Sequence, residues 1–144
     1  MKTDQFINRL DRARLEAAIG AAEAKTSGEI RVLVHERPVD DAVAAAQAEF
    51  LRLGMPQTRE RNAVLLFVAP ASQAFAIIGD EGVHRKCGNA FWSELAATMQ
   101  ASFRREDYTG ALLEGIERAG TLLAGHFPRR PDDKNELPDR VVVI

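Results

Sequence analysis

An α/β fold, a three-layer α/β/α sandwich around a small mixed β-sheet, is what this 144-residue sequence predicts. Three observations predict it. The apolar runs Asn62–Val68 and Gln73–Ile78 are joined only by Ala69-Pro70-Ala71-Ser72, too short for a parallel return, so they form an antiparallel hairpin. An alternating run, Glu29–Val34, precedes them across a helical stretch, and such a right-handed crossover makes the first two strands parallel. Helical periodicity before, between and after the strands supplies covering layers for both faces of the sheet.

Taken in order, the first element is a helix over about Phe6 to Ala24, where Leu15, Ala18, Ile19 and Ala22 share a face. Thr26-Ser27-Gly28 stops it. The first strand, Glu29–Val34, sets Ile30, Val32 and Val34 on one side and Glu29, Arg31 and Leu33 on the other. Pro38 ends that strand, and Asp40-Asp41 opens a helix with Val39, Val43, Ala46, Phe50 and Leu53 as its apolar stripe. Gly54-Met55-Pro56 closes it, and Gln57–Arg61 is a polar loop before the hairpin. Beyond Gly79-Asp80-Glu81-Gly82, a short helical segment from Val83 to Lys86 meets Gly88. A longer helix follows over about Asn89–Phe103, with Trp92, Leu95, Met99 and Phe103 on one face. Arg104-Arg105-Glu106 connects it to a last helix over about Asp107–Gly125, carrying Leu112, Leu113, Ile116 and Leu123. Residues 1–127 form the predicted domain, and 128–144 an extended tail docking on it. Val141–Ile144 reads as an edge strand or a disordered end.

The hydrophobic fraction of 46% and charged fraction of 28% suit one domain with a core that needs no metal or disulfide staple. A net charge of −2 with scattered basic residues gives no footprint for nucleic acid, since the one dense pair, Arg129-Arg130, sits beside Asp132-Asp133. A lone cysteine, Cys87, makes no internal disulfide and fits a reducing compartment. The start, Met1-Lys2-Thr3-Asp4-Gln5-Phe6, lacks the apolar core of a signal peptide, and no run approaches the roughly 20 residues of a membrane span. A cytoplasmic protein with neither membrane nor nucleic acid as partner is expected.

Strand direction carries the functional argument. The start of the first strand, the start of the second and the end of the third fall at one edge of the sheet. That edge collects Thr26-Ser27-Gly28-Glu29, Thr58-Arg59-Glu60-Arg61-Asn62 and Gly79-Asp80-Glu81-Gly82, whereas His35, Glu36, Asp40 and Asp41 go to the other. Four carboxylates, Glu29, Glu60, Asp80 and Glu81, therefore gather at one rim with Arg59, Arg61 and Asn62. Crowded carboxylates repel, and a cation relieves that repulsion. Calcium accepts six to eight oxygen ligands, including backbone carbonyls and Asn oxygens. The plainer alternative is that Arg59 and Arg61 neutralise the acids and that Asp80 caps the helix starting at Glu81.

Other chemistries find little support. Cys87 is not followed by the Cys-x5-Arg loop of cysteine phosphatases, because Ser93 stands in the arginine's place, and no Asp-x-Asp pair follows a strand. The spacing of His35, His84 and His126 is not that of a helical metal pair. His84 reads as a surface residue, with a supporting or general-acid role near Asp80 as the alternative. Cys87 reads as a helix packing residue, with a thiol of depressed pKa as the alternative. Phe91, Trp92 and Phe103 sit at core spacing, and Tyr108 anchors the last helix. There is no glycine-rich nucleotide loop, P-loop or His-Glu-x-x-His. Asp132-Asp133-Lys134-Asn135-Glu136 has calcium-ligand chemistry without EF-hand spacing, and is read as solvated, with Leu137 and Pro138 docking.

Across nearly its whole length the chain resembles the TPM domain family. The resemblance is carried by Thr26-Ser27-Gly28-Glu29-Ile30, Leu53-Gly54-Met55, Arg61-Asn62-Ala63-Val64-Leu65, Gly79-Asp80-Glu81-Gly82, the stretch from Phe103 to Leu112, and Asn135-Glu136-Leu137-Pro138. It is most similar to the short, stand-alone cytosolic members. The resemblance implies an α/β/α sandwich and a calcium-binding rim, and, from a thylakoid-lumen member, acid phosphatase activity. Two turns depart from the family pattern: Arg61-Asn62-Ala63 replaces an Asp-Asn-Gly turn, and Gly79-Asp80-Glu81-Gly82 replaces a Gly-Tyr-Gly turn.

The expectation is a divalent-cation binding domain, with calcium as the ion, in a regulatory or assembly role. Its metal ligands are Asp80, Glu81, Glu29 and Glu60, with Arg59, Arg61 and Asn62 as further ligand-binding residues. A metal-assisted acid phosphatase acting on phosphomonoesters at the same rim is the alternative, its catalytic residues unassigned. The third is an interaction module for a protein partner.

Overall fold

The computed structural model describes residues 1–130 and 141–144. The two strands that organise it are β1 (Glu29–Val34) and β2 (Ala63–Ala69), and every residue of both is buried. They run parallel, with Glu29 opposite Ala63 and Val34 opposite Val68. Strand β3 (Ala74–Gly79) returns antiparallel, pairing Ala74 with Ala69 and Gly79 with Val64. A two-residue strand, β4 (Val142–Val143), lies parallel to the end of β1, so the order is β3-β2-β1-β4. Of the two readings open for the terminal residues, the edge strand is the one observed.

Alternation along the strands divides the core in two. Ile30, Val32, Val34, Val64, Leu66 and Val68 point to the face covered by α1 (Thr3–Asn8), α2 (Arg12–Glu23), α4 (Glu81–Arg104) and α5 (Tyr108–His126). Leu15, Ile19, Leu95, Met99, Leu112, Ile116 and Leu123 fill the space beneath those helices. Leu33, Ala63, Leu65 and Phe67 point the other way, onto Ala46 and Phe50 of α3 (Ala42–Arg52) and onto Met55. The helices thus form two unequal layers around a mixed sheet, as the α/β pattern predicts.

Two elements differ from the sequence expectation. The first helix is two helices, broken at Arg9-Leu10-Asp11. Asp11 turns its carboxylate onto the backbone N–H of Arg14 (3.1 Å) while its own N–H donates to Thr109 Oγ1 (3.0 Å). A short acidic side chain that caps a new helix competes with continuation of the old one. In α3 the inward line is the partly buried Ala42 and the buried Ala46 and Phe50, every fourth residue; Val43 lies about 100° round the helix from Ala42 and is 52% exposed. The break expected at Gly88 is present: the two helical segments grouped as α4 meet there at a kink, where Gly88 leaves the helical conformation with φ 72° and ψ −178°.

At the edge of the sheet, Glu23 at the end of α2 accepts a hydrogen bond from Ile30 N at 2.8 Å. The family stretch Asn135–Pro138, the acidic run Asp132–Glu136 and the docking expected of Leu137 and Pro138 lie outside the described residues.

Candidate functional site

The predicted convergence is present in the backbone itself. Glu29 N donates to Asn62 O (3.3 Å), Asp80 N to Ala63 O (2.9 Å) and Gly82 N to Arg61 O (2.9 Å). The turn 60–62 therefore sits between the head of β1 and the start of α4, stitched to both. Thr58 prepares that turn by accepting from Asn62 N at 3.1 Å through its hydroxyl. Arg61 within it holds a left-handed φ of 52°, uncommon for a side chain of its size. Gly82 is what lets α4 approach so closely: a Cβ there would stand 2.3 Å from Glu60 O and 2.6 Å from Arg61 O.

Asp80, buried, does two things. Its Oδ1 accepts from Glu81 N (2.8 Å) at the start of α4, and both of its oxygens take the Arg61 guanidinium in a fork, Nε to Oδ2 at 2.7 Å and Nη2 to Oδ1 at 2.8 Å. Arg61 Nη1 also reaches Glu81 Oε1 at 3.4 Å. These carboxylates hold the guanidinium pKa above its ordinary value, chiefly through the hydrogen bonds to Asp80. The plainer alternative read from sequence, a neutralising arginine and a capping aspartate, is realised here.

A second polar cluster lies on the other side of the same turn. Glu60 accepts from Ser27 Oγ (2.7 Å), from Asn62 Nδ2 (3.4 Å) and from Arg130. Asn62 Nδ2 also donates to Ser27 Oγ at 3.1 Å, and Asn62 Oδ1 is buried with no hydrogen-bond partner among the described residues. Glu29 is buried at the head of β1, by alternation on the same face as Leu33. Arg59 stays on the exposed surface.

The four predicted acids are thus brought to one rim but divided between two clusters. Asp80 and Glu81 join Arg61, Glu60 joins Asn62, and Glu29 is linked to the turn through its backbone. Among the described residues no three His, Cys, Asp or Glu side chains are grouped so as to hold a metal. Sequence reasoning missed Arg130, which lies 70 positions from Glu60, and gave Ser27 no role. No local signal announces the first; a serine beside a strand-opening glycine is a weak one for the second. His84 accepts from Trp92 Nε1 through Nδ1 at 3.2 Å. The Cys87 thiol packs at the edge of the larger core and burial pushes its pKa up, in keeping with a packing role.

A mixed four-stranded sheet sandwiched by helices, with three strand ends meeting at one polar rim, defines the class of domain. The family follows from comparison: the TPM domain family model matches residues 1–122, and the chain belongs to that family. It is 34% identical to the BA42 protein of the psychrophilic bacterium Bizionia argentinensis, with 92% of each chain covered and a TM-score of 0.85. The N-terminal domain of the cg2496 protein of Corynebacterium glutamicum shares the fold at 16% identity and a TM-score of 0.60, over 90% of this chain and 76% of that one. Among curated proteins none matches. No helix among the described residues is long and apolar enough to cross a membrane.

Proposed function

We propose that the rim binds a divalent cation, calcium by its all-oxygen chemistry, and that the domain uses this binding in a regulatory or assembly role. The observation that carries the reading is Asn62 Oδ1, a buried acceptor without a hydrogen-bond partner among the described residues, on an amide whose Nδ2 faces the Glu60 carboxylate and the Ser27 hydroxyl. Buried acceptors are rarely left so, and an oxygen-seeking ion is one partner that satisfies them. The donor chemistry fits: amide oxygen, carboxylate, hydroxyl and backbone carbonyl are all hard ligands. Asn62 and Glu60 would hold the ion, with Asp80 and Glu81 joining once Arg61 lets go. Calcium would supply positive charge in place of the guanidinium and tie the 60–62 turn to the start of α4. In the free protein Arg61 acts as a tethered cation, so ion binding is an exchange rather than the filling of a ready cage.

The test is a calcium titration followed by amide NMR. Saturable shifts at Ser27–Glu29, Glu60–Asn62 and Asp80–Gly82 are expected, and Asn62→Ala should weaken binding by about tenfold or more, roughly 1.4 kcal/mol. Arg61→Ala should strengthen it by releasing Asp80. A rim that stays silent at millimolar calcium, or an Arg61→Ala protein that binds more weakly, overturns the reading. The same rim sets Arg61 and Arg130 beside the acids, which is the positive charge a phosphoryl group requires. Chelator-sensitive turnover of p-nitrophenyl phosphate, abolished by Asp80→Ala, would add catalysis to binding.

A further inference from the structure

At the end of the sheet away from the rim, where β2 finishes and β3 begins, lies a pocket of about 460 Å3. That volume is in the range of small-molecule sites. Its wall is aromatic. Phe6 and Tyr108 ring centroids are 4.9 Å apart, Tyr108 and Phe103 6.5 Å, and Phe103 and Phe75 5.0 Å, so four rings from α1, β3, α4 and α5 form one continuous surface. Packing alone would be better served by closing these rings over one another, yet they leave an open hollow beside them.

The mouth is polar and its charge is unbalanced. Glu106 is answered by Arg9 at 3.4 Å, and Arg9 in turn lies 4.9 Å above the Tyr108 ring. Arg104 lines the same mouth, and among the described residues its guanidinium makes no hydrogen bond or ion pair. The side-chain amides of Gln73 and Gln100 border the pocket and are equally unengaged. Two mouth residues, Gln73 at φ 48° and Glu106 at φ 61°, hold left-handed backbone conformations that side chains rarely adopt. Such strain gathers at ligand-binding sites more than in plain loops.

From this combination we infer that the pocket binds a small aromatic acid. The ring stacks on Phe75, Phe103 and Tyr108, the carboxylate meets Arg104, and Gln73 and Gln100 donate to it. A neutral aromatic would leave the guanidinium unanswered, and a simple inorganic anion would leave the aromatic wall uncovered. This site shares no residue with the cation rim and stands or falls independently of it.

The experiment uses 2-naphthoate as probe and 2-naphthamide as its uncharged counterpart, titrated into the isotope-labelled full chain. Saturable shifts confined to Gln73–Phe75 and Gln100–Tyr108 are expected with naphthoate, and weaker ones with the amide. Arg104→Gln should cut naphthoate affinity about tenfold, roughly 1.4 kcal/mol, and leave naphthamide affinity unchanged. Phe75→Leu should weaken both. Absence of saturation at about 5 mM, an affinity below any specific site of this size, overturns the proposal. So does equal binding of acid and amide, or an Arg104→Gln protein that binds naphthoate as well as the wild type.

Discussion

Replacement of Asp80 separates a capping role from a merely acidic surface. From the sequence, Asp80→Asn is a rim substitution with an effect on folding within about 0.5 kcal/mol. The structure requires more. Asp80 is 6% exposed, and its Oδ1 holds the Glu81 N–H at the opening of α4. Losing an N-cap side chain costs about 0.5–2 kcal/mol. A carboxylate at a helix N-terminus contributes a further 0.3–1 kcal/mol, up to about 2 when partly buried. Asp80→Asn keeps the cap and loses the charge, so about 0.5–1 kcal/mol is expected. Asp80→Ala loses both, about 1.5–3 kcal/mol. The Arg61 fork adds little to either figure, because that side chain is 40% exposed and water takes over its hydrogen bonds. Urea unfolding read by tryptophan fluorescence gives the measurement. The single tryptophan, Trp92, packs against Gly79 so closely that a Cβ there would stand 2.3 Å from its ring. If Asn and Ala proteins unfold at the same urea concentration as the wild type, Asp80 caps nothing in solution and the rim is looser than described.

Other outcomes are as specific. Gly82→Ala, ordinarily a mild gain inside a helix, should destabilise by about 1–3 kcal/mol, since its Cβ would press on the carbonyls of Glu60 and Arg61; a neutral effect in thermal melting would mean that α4 does not rest on the turn. Phe67→Ala should cost about 3–5 kcal/mol, because the ring is fully buried. Leu51→Ala, at a side chain 69% exposed, should stay within about 0.5 kcal/mol, and similar losses at both positions would contradict the placement of α3. Cys87 should alkylate more slowly than a free thiol at pH 8, with the rate still climbing above the ordinary thiol pKa and the difference gone in urea. Its folded pKa is raised, so whatever stability it contributes is present below the unfolded value and is lost as pH rises through the folded one.

The strands and the rim were legible because their signals are local. A four-residue link compels a hairpin, and the direction of that hairpin brings Gly28, Asn62 and Asp80 to one edge, where the backbone bonds Glu29 N to Asn62 O and Asp80 N to Ala63 O. What the rim does with its charges was less legible. Side-chain pairing is a choice among neighbours, and Asp80 lay within reach of Arg59 and Arg61 alike; the left-handed turn at Arg61 settles it. Arg130 gave no local signal and Ser27 only a weak one, since the partner of one is 70 residues away and that of the other 33. The break at Arg9-Leu10-Asp11 was hidden because an aspartate reads alike inside a helix and at its cap until Thr109 is seen holding its N–H. Apolar character likewise misplaced Val43, whose angle about α3 outweighs its hydrophobicity.

One carboxylate has a bearing on how copies of this protein behave toward each other. The N–H of Ile30 at the flank of the sheet is a natural invitation to a stranger's extended backbone, the first step of runaway sheet growth. Glu23 answers it from the neighbouring helix at 2.8 Å. A side chain that occupies that N–H keeps it from the backbone of a second copy. Trading that oxygen for a methyl group should turn a quiet flank into a sticky one.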